Sequence, residues 1–145
     1  MMKKIEPYIR AVNYYETDQM HVVHHSNYAR YMEEARLDMM SQIGLSYDKL
    51  EEMGIIIPVL ELHNVFTHAI HYGDIISIQP SLTKLTPVRF SIHYELYDAG
   101  TGEWLNRGDT SHAFVDRDFH PMNVKKRFPE VYEALLSCLA EEEKA

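Results

Sequence analysis

Asn27-Tyr28-Ala29-Arg30-Tyr31-Met32-Glu33-Glu34-Ala35-Arg36-Leu37-Asp38-Met39-Met40-Ser41-Gln42-Ile43 is the stretch around which the rest of the chain must be arranged. Its apolar residues recur at Tyr28, Tyr31, Met32, Ala35, Met39 and Ile43, the three-and-four spacing of an amphipathic helix, while Arg30, Glu33, Glu34, Asp38 and Gln42 face elsewhere. Ser26 or Asn27 is placed to cap its start and Gly44 to end it. An apolar stripe of this kind needs a surface, and the second half of the chain supplies one. Val88, Phe90, Ile92, Tyr94 and Leu96 alternate with Arg89, Ser91, His93, Glu95 and Tyr97, the period of a strand. Ile57 to Ala69, Ile75 to Leu85 and Glu103 to Val115 read as further strands, divided by turn signals at Tyr72-Gly73-Asp74, Thr86-Pro87 and Asp98 to Gly102. Short turns between successive strands make the sheet antiparallel.

Ahead of the helix, Tyr8 to Tyr15 is rich in β-branched and aromatic residues and reads as a first strand. Ser46 to Met53 reads as a short helix capped by Ser46 and stopped by Gly54, and Pro129 to Glu142 as a terminal helix with Val131, Leu135, Cys138 and Leu139 on one stripe. The expectation is an α+β unit in which one antiparallel sheet of about five strands buries its apolar face on the long helix. Ile92, Tyr94 and Tyr97 promise apolar area on both faces, so a second copy is expected to cover what the helix leaves open.

With 145 residues, 46% hydrophobic and 25% charged, the chain fits one ordinary globular domain spanning residues 1–145. Cys138 is the only cysteine, which excludes an internal disulfide and a four-cysteine zinc site and suits a reducing compartment. No apolar run approaches the roughly 20 residues that span a bilayer, and Met1 to Glu6 has no secretory apolar region, so a cytoplasmic location is expected. The net charge of −8 has the wrong sign for a nucleic-acid binder but leaves room for an anionic small molecule at a helix N-terminus. Glu141 to Ala145 reads as a solvated helix end.

The segment from Tyr14 to Tyr28 joins the first strand to the long helix and concentrates Asp18, His21, His24 and His25 there. Titratable groups beside the free N–H groups of a helix start suit catalysis, because those donors can hold a developing oxyanion. A carboxylate such as Asp18 can take a proton from water, or it can merely close an Asx turn on its own backbone. His25 can polarise a carbonyl or simply cap the helix, and Tyr28, Tyr31 and Met32 read as core with Tyr28 at its end. The histidine spacing does not make a metal site, and Cys138 reads as a packed residue.

Tyr15-Glu16-Thr17-Asp18-Gln19-Met20, Val22-Val23-His24-His25-Ser26-Asn27-Tyr28 and Tyr31-Met32-Glu33-Glu34-Ala35-Arg36 together resemble the hotdog-fold acyl-CoA thioesterases of the 4-hydroxybenzoyl-CoA and Tol-Pal-associated group. Gly44-Leu45-Ser46-Tyr47, Gly54-Ile55, Pro58-Val59, Gly73-Asp74 and Gly108-Asp109-Thr110 extend the resemblance from about Ile9 to Pro121. The resemblance implies a hotdog fold and hydrolysis of an acyl-CoA to free acid and CoA, with no metal or organic cofactor. It implies Asp18 as general base or nucleophile, His25 as the group near the helix start that positions the carbonyl, and Tyr14 as a further catalytic residue, with Tyr15 one place away. His24, Tyr28 and Arg89 are the expected substrate-binding residues, Arg89 chosen among Lys84, Arg89, Arg107 and Arg117 for the CoA phosphates. A homodimer or homotetramer with the site at the subunit interface is also implied. Relatives usually carry Gly where this chain has His21, so a positive φ there would strain the loop or narrow the site. An acyl-thioester hydratase or dehydratase, and a non-catalytic acyl-CoA binder, are the alternatives.

Overall fold

The computed structural model describes residues 2–140. Strand β1 (Tyr8–Ala11) leads through a 3-10 turn (Tyr14–Glu16) to helix α1 (Ser26–Gln42) and helix α2 (Tyr47–Met53). Strands β2 (Val59–Phe66), β3 (Ile75–Leu85), β4 (Arg89–Asp98) and β5 (Trp104–Ala113) follow, then short helices α3 (Val124–Arg127) and α4 (Pro129–Ser137). The five strands form one antiparallel sheet in the order β1-β3-β4-β5-β2. The expected five-stranded sheet around one long helix is therefore what the chain forms.

Helix α1 lies across the sheet with Tyr28, Tyr31, Met32, Ala35 and Met39 buried, against Ile76, Ile78 and Leu82 of β3 and Phe90, Ile92, Tyr94 and Leu96 of β4. Each such side chain removed from water contributes roughly 1.5–3 kcal/mol, which makes this contact the main source of stability. The approach to β5 is close. A Cβ on Gly108 would meet Met32 Sδ at 2.5 Å, Asn64 Nδ2 at 2.7 Å and the His63 backbone oxygen at 3.0 Å, so any larger residue would force the Met32 and Asn64 side chains to move. The C-terminus of α1 closes as a Schellman motif: Leu45 N–H donates to Met40 C=O at 2.8 Å and Gly44 N–H to Ser41 C=O at 3.1 Å, with Gly44 at φ 79°. Ser46 accepts from Lys49 N–H and Gly54 at φ 78° ends α2, as their residue types require.

Several expectations need correction. The first strand stops at Ala11 rather than Tyr15, because Asn13 and Glu16 close a reciprocal capping box that winds Tyr14 to Glu16 into a 3-10 turn. Neither Ser26 nor Asn27 caps α1: both lie inside it, the cap position is His25 in helical conformation, and Asn27 instead donates through Nδ2 to Glu16 C=O at 2.9 Å. Strands β2 and β3 are not a hairpin, since β2 pairs with β5 and the connection crosses to the far side of the sheet. Ile92 and Tyr94 share the buried face, and the opposite face presents Ser91, His93 and Glu95 of β4 beside Arg107, Asp109 and Ser111 of β5. The apolar surface left open is thus the edge strand β2, where Val59, Leu60, Leu62 and Phe66 are exposed. The terminal helix ends at Ser137, Leu139 continuing as a parallel bridge to Leu82, and the proposed helix end at residues 141–145 lies outside the described residues. Among the described residues no helix is long and apolar enough to cross a membrane.

Candidate active site

Asp18 sits at the tip of a small hairpin that ends where α1 begins. Thr17 and Val23 pair antiparallel across it, Asp18 N–H donates to Val22 C=O at 2.9 Å, and His21 N–H donates to Asp18 C=O at 2.9 Å. The Asp18 carboxylate accepts from Met20 N–H through Oδ1 at 2.8 Å, an Asx turn that fixes the side chain, while Oδ2 has no partner among the described residues. His21 has φ 66°, the left-handed position that follows a tight turn in a bulged hairpin and normally calls for glycine. The chain accepts the strain with the imidazole exposed.

A buried ionic network holds this hairpin to the body. Glu16, 5% exposed, receives Arg10 Nη2 at 2.6 Å, Tyr31 Oη at 3.0 Å and Asn13 N–H at 2.8 Å through one carboxylate oxygen. Arg10 also pairs with Glu34 at 2.9 Å, which accepts from Tyr8 Oη at 3.0 Å, and its guanidinium covers the Tyr31 ring at 4.3 Å. Burial, and after it the bond to Glu16, raises the Tyr31 pKa above that of an ordinary phenol and keeps its proton in place to donate. A buried carboxylate with these donors cannot leave its site cheaply, so Glu16 and Arg10 anchor the segment that carries Asp18. Sequence reading missed them; a carboxylate in a strand-to-helix connection, six residues after an arginine on the strand, was the available signal.

At the helix start, His24 Nδ1 lies 2.9 Å from Ser26 Oγ and accepts Ser26 N–H at 3.1 Å, so this ring holds the first turn. His25 stacks on His24 at 4.2 Å and meets Phe66 edge-on at 6.4 Å, and its backbone N–H finds no acceptor among the described residues. Tyr28 is buried beneath, 5.0 Å from Phe66, its hydroxyl raised by burial despite a bond to Asn106. Tyr14, 74% exposed, packs edge-on against Tyr72 at 5.6 Å on the rim. The structure thus gathers Tyr14, Asp18, His24, His25 and Tyr28 at one end of the sheet.

Arg89 does not join them within one chain. It opens the ten-residue β4, whose far end leads to the hairpin, a separation of about 30 Å at ~3.3 Å per residue. It lines a shallow depression of about 300 Å³ with Lys84, Thr86 and Ser111. Near the Arg89 end of β4 lies a larger groove of about 600 Å³ between α1, α2 and the start of β2, walled by Leu37, Met40, Ile57, Val59 and Phe90 with Glu33 and Arg36 on its helical side. Sequence reading did not find this groove, because its walls come from segments distant along the chain. His21, His24 and His25 form no cluster with metal-ligand spacing; Asp116, Asp118 and His120 do, on an exposed turn where Asp116 Oδ1 already accepts the N–H groups of Asp118 and His120.

Residues 12–137 match the thioesterase-like superfamily. YneP of Bacillus subtilis, whose name carries acyl-CoA thioesterase as a provisional activity, is 30% identical over 124 residues, covering 85% of this chain and 89% of its own. The 1,4-dihydroxy-2-naphthoyl-CoA hydrolase of Thermosynechococcus vestitus is 27% identical over 95% of this chain and 92% of its own. Among solved structures, the DHNA-CoA thioesterase of Staphylococcus aureus superposes with a TM-score of 0.85 at 33% identity, covering 89% of this chain and 87% of that one.

Proposed function

Because the chain belongs to the thioesterase-like superfamily and has its hotdog fold, we propose that it hydrolyses the thioester of an acyl-CoA to free acid and CoA, with a hydroxylated aromatic acyl group as substrate class. The observation that carries this reading is the Asp18 carboxylate, held on a hairpin that leads into a 17-residue helix, with the His25 N–H at the helix start unpartnered among the described residues. Water attacks the thioester carbon, Asp18 takes its proton, the oxyanion is held by the helix-start N–H groups with His25, and the CoA thiolate leaves and is protonated. Direct attack by Asp18, followed by hydrolysis of the mixed anhydride, uses the same carboxylate in the same place. The substrate class is supported by the naphthoyl-CoA relatives and by a groove large enough for a ring. Finer membership of the 4-hydroxybenzoyl-CoA and Tol-Pal-associated group rests on the segment from Tyr15 to Arg36 and belongs to this reading, as does a cytoplasmic location.

In this reading residues 1–145 are one domain carrying half of a composite site. The exposed β2 edge pairs with β2 of a second copy, and a two-fold antiparallel pairing sets Phe66, beside His25 and Tyr28, against the partner strand's opposite end, where Val59 lines the groove. The same two-fold gives Arg89 and Lys84 a route to CoA phosphates that they lack in one chain. Tyr14 forms the rim, His24 holds the helix start, and Tyr28 forms the floor.

The test is thiol release from a panel of aromatic and aliphatic acyl-CoAs by wild type and Asp18→Asn. Asparagine can accept the same Met20 N–H bond, so the hairpin persists while the proton acceptor is lost. Turnover is expected to fall by about 10²–10⁴-fold. Near wild-type rates would remove Asp18 from the mechanism, and hydration of an enoyl-CoA without thiol release would replace hydrolysis by hydratase chemistry.

A further inference from the structure

The groove beside the second half of α1 contains a guanidinium that pairs with no carboxylate among the described residues. Arg36 is partly buried on a wall formed with Leu37, Met40, Ile57, Val59 and Phe90. Its contact is a long one: Nη1 donates to Tyr94 Oη at 3.4 Å, near the outer limit of a hydrogen bond. Among the described residues no carboxylate pairs with it, although Glu33 and Glu51 line the same groove. Arg10, by contrast, meets two carboxylates. A partly desolvated guanidinium with most of its five donors unused is complementary to an oxygen acceptor that arrives with a ligand.

Behind Arg36 lies a chain of buried polar groups that fixes Tyr94, its one hydrogen-bond partner among the described residues. Tyr94 Oη is 2.8 Å from Thr110 Oγ1, which is 2.8 Å from His112 Nε2, and all three residues are buried. Burial, and then the Arg36 charge, lowers His112 to about 3, so the chain of hydroxyls ends on a neutral ring and Arg36 carries the only charge in it. Charge also selects the ligand. Glu33 and Glu51 offset Arg36 and Arg117 around the groove, which leaves no net attraction for an anionic acyl end but suits a neutral hydroxyl. Such a hydroxyl accepts from Arg36 and donates to Glu33, which lies three residues earlier on the same helical face.

We propose that Arg36 is a specificity-determining residue that binds the ring hydroxyl of the acyl group seated in this groove, with Tyr94 as its positioning residue. The inference rests on the acyl-CoA reading given above. Arg36 is ten residues beyond Ser26, about 15 Å along the helix, so the ring it holds belongs to a thioester presented by the second copy's hairpin rather than its own.

The experiment is calorimetric binding of two thioether analogues that cannot be hydrolysed, 4-hydroxyphenacyl-CoA and phenacyl-CoA, to wild type, Arg36→Met, Arg36→Lys and Tyr94→Phe, with far-UV circular dichroism on each. Wild type is expected to prefer the hydroxylated analogue by about 10- to 100-fold, the value of a hydrogen bond to a charged group. Arg36→Met should erase that preference, Arg36→Lys should keep part of it, and Tyr94→Phe should reduce it. If Arg36→Met does not fold, the wild-type preference and its partial survival in Arg36→Lys decide the matter. Equal binding of both analogues by wild type, an undiminished preference in a folded Arg36→Met, or tighter binding of a carboxyphenacyl analogue overturns the proposal. Thiol release measured in parallel reports on hydrolysis separately: a wild type that shows the preference but releases no thiol overturns the hydrolase reading and supports Arg36 as the hydroxyl reader.

Discussion

His21 adopts φ 66° because the bond from its N–H to Asp18 C=O and the return of the chain into the Thr17–Val23 pairing leave no other conformation for that residue. A left-handed L-residue costs roughly 1–2 kcal/mol, and glycine, which avoids that cost, loses about 0.5–1 kcal/mol through its greater freedom when unfolded. His21→Gly is therefore expected to stabilise the protein by about 0.5 kcal/mol, a rise of roughly 1–2 °C in Tm by calorimetry. A fall in Tm would mean that the exposed imidazole makes a stabilising interaction outside the described chain. The departure from glycine, and with it the question of a positive φ, came from the family resemblance of the Tyr15 to Tyr28 segment. The bond from Met20 N–H that orients Asp18 was legible only as an alternative to catalysis, whereas the structure shows that the turn orients the carboxylate and leaves its second oxygen without a partner among the described residues.

At the scale of elements, strands β4 and β5 carry two histidines whose environments push in opposite directions. On the outer face, His93 Nδ1 is 2.7 Å from Asp109 and Nε2 is 2.9 Å from Glu95, which also accepts from Trp104 Nε1 at 2.6 Å. Burial pulls His93 down, but the two carboxylates outweigh it and hold its pKa above the usual imidazole value. On the inner face, burial and then Arg36 lower His112 to about 3 against an opposing contact with the Pro58 backbone. The signs follow from proton binding in the two states. His93 contributes stability that is fully present below pH ~6.5 and is lost as pH rises through its elevated folded value. His112 contributes stability that is present above pH ~6.5 and is lost as pH falls from there toward its folded value, because the unfolded chain takes up the proton first. Urea unfolding across pH 4 to 9 is expected to show a shallower acid-side loss for His112→Gln than for wild type. The destabilisation caused by His93→Gln should be larger at pH 5 than at pH 9. An acid limb unchanged in His112→Gln would mean that another group governs acid unfolding.

For the whole molecule, the decisive feature is the exposed edge of β2. Val59, Leu60, Leu62 and Phe66 present apolar side chains beside unpaired strand backbone, a surface that proteins normally cover. Leu60→Lys with Leu62→Lys is expected to give a monomer by light scattering coupled to size exclusion, with its circular dichroism retained and its thiol release reduced at least 10-fold, since a tenfold loss corresponds to only about 1.4 kcal/mol. A monomeric variant with full activity would show that one chain holds a complete site.

By itself the sequence determined the principal helices and strands and their order, but neither the 3-10 turn at Tyr14–Glu16 nor α3. The three-and-four spacing from Tyr28 to Ile43 and the alternation from Val88 to Tyr97 encode two periods that no other local structure satisfies. It also singled out the segment that carries Asp18 and His25, whereas the hairpin and the cap position of His25 were visible only in the structure. Only the tertiary structure decided which residues meet. Strand order put β2 at the edge beside β5, the sheet's outer face proved polar, and Arg10, Glu16 and Tyr31 closed a network from three elements. Arg36 found its groove with Val59, Phe90 and the walls of α2. Those contacts arise when segments far apart in the chain are brought together by burial, which acts on surfaces and carries no information about spacing along the sequence.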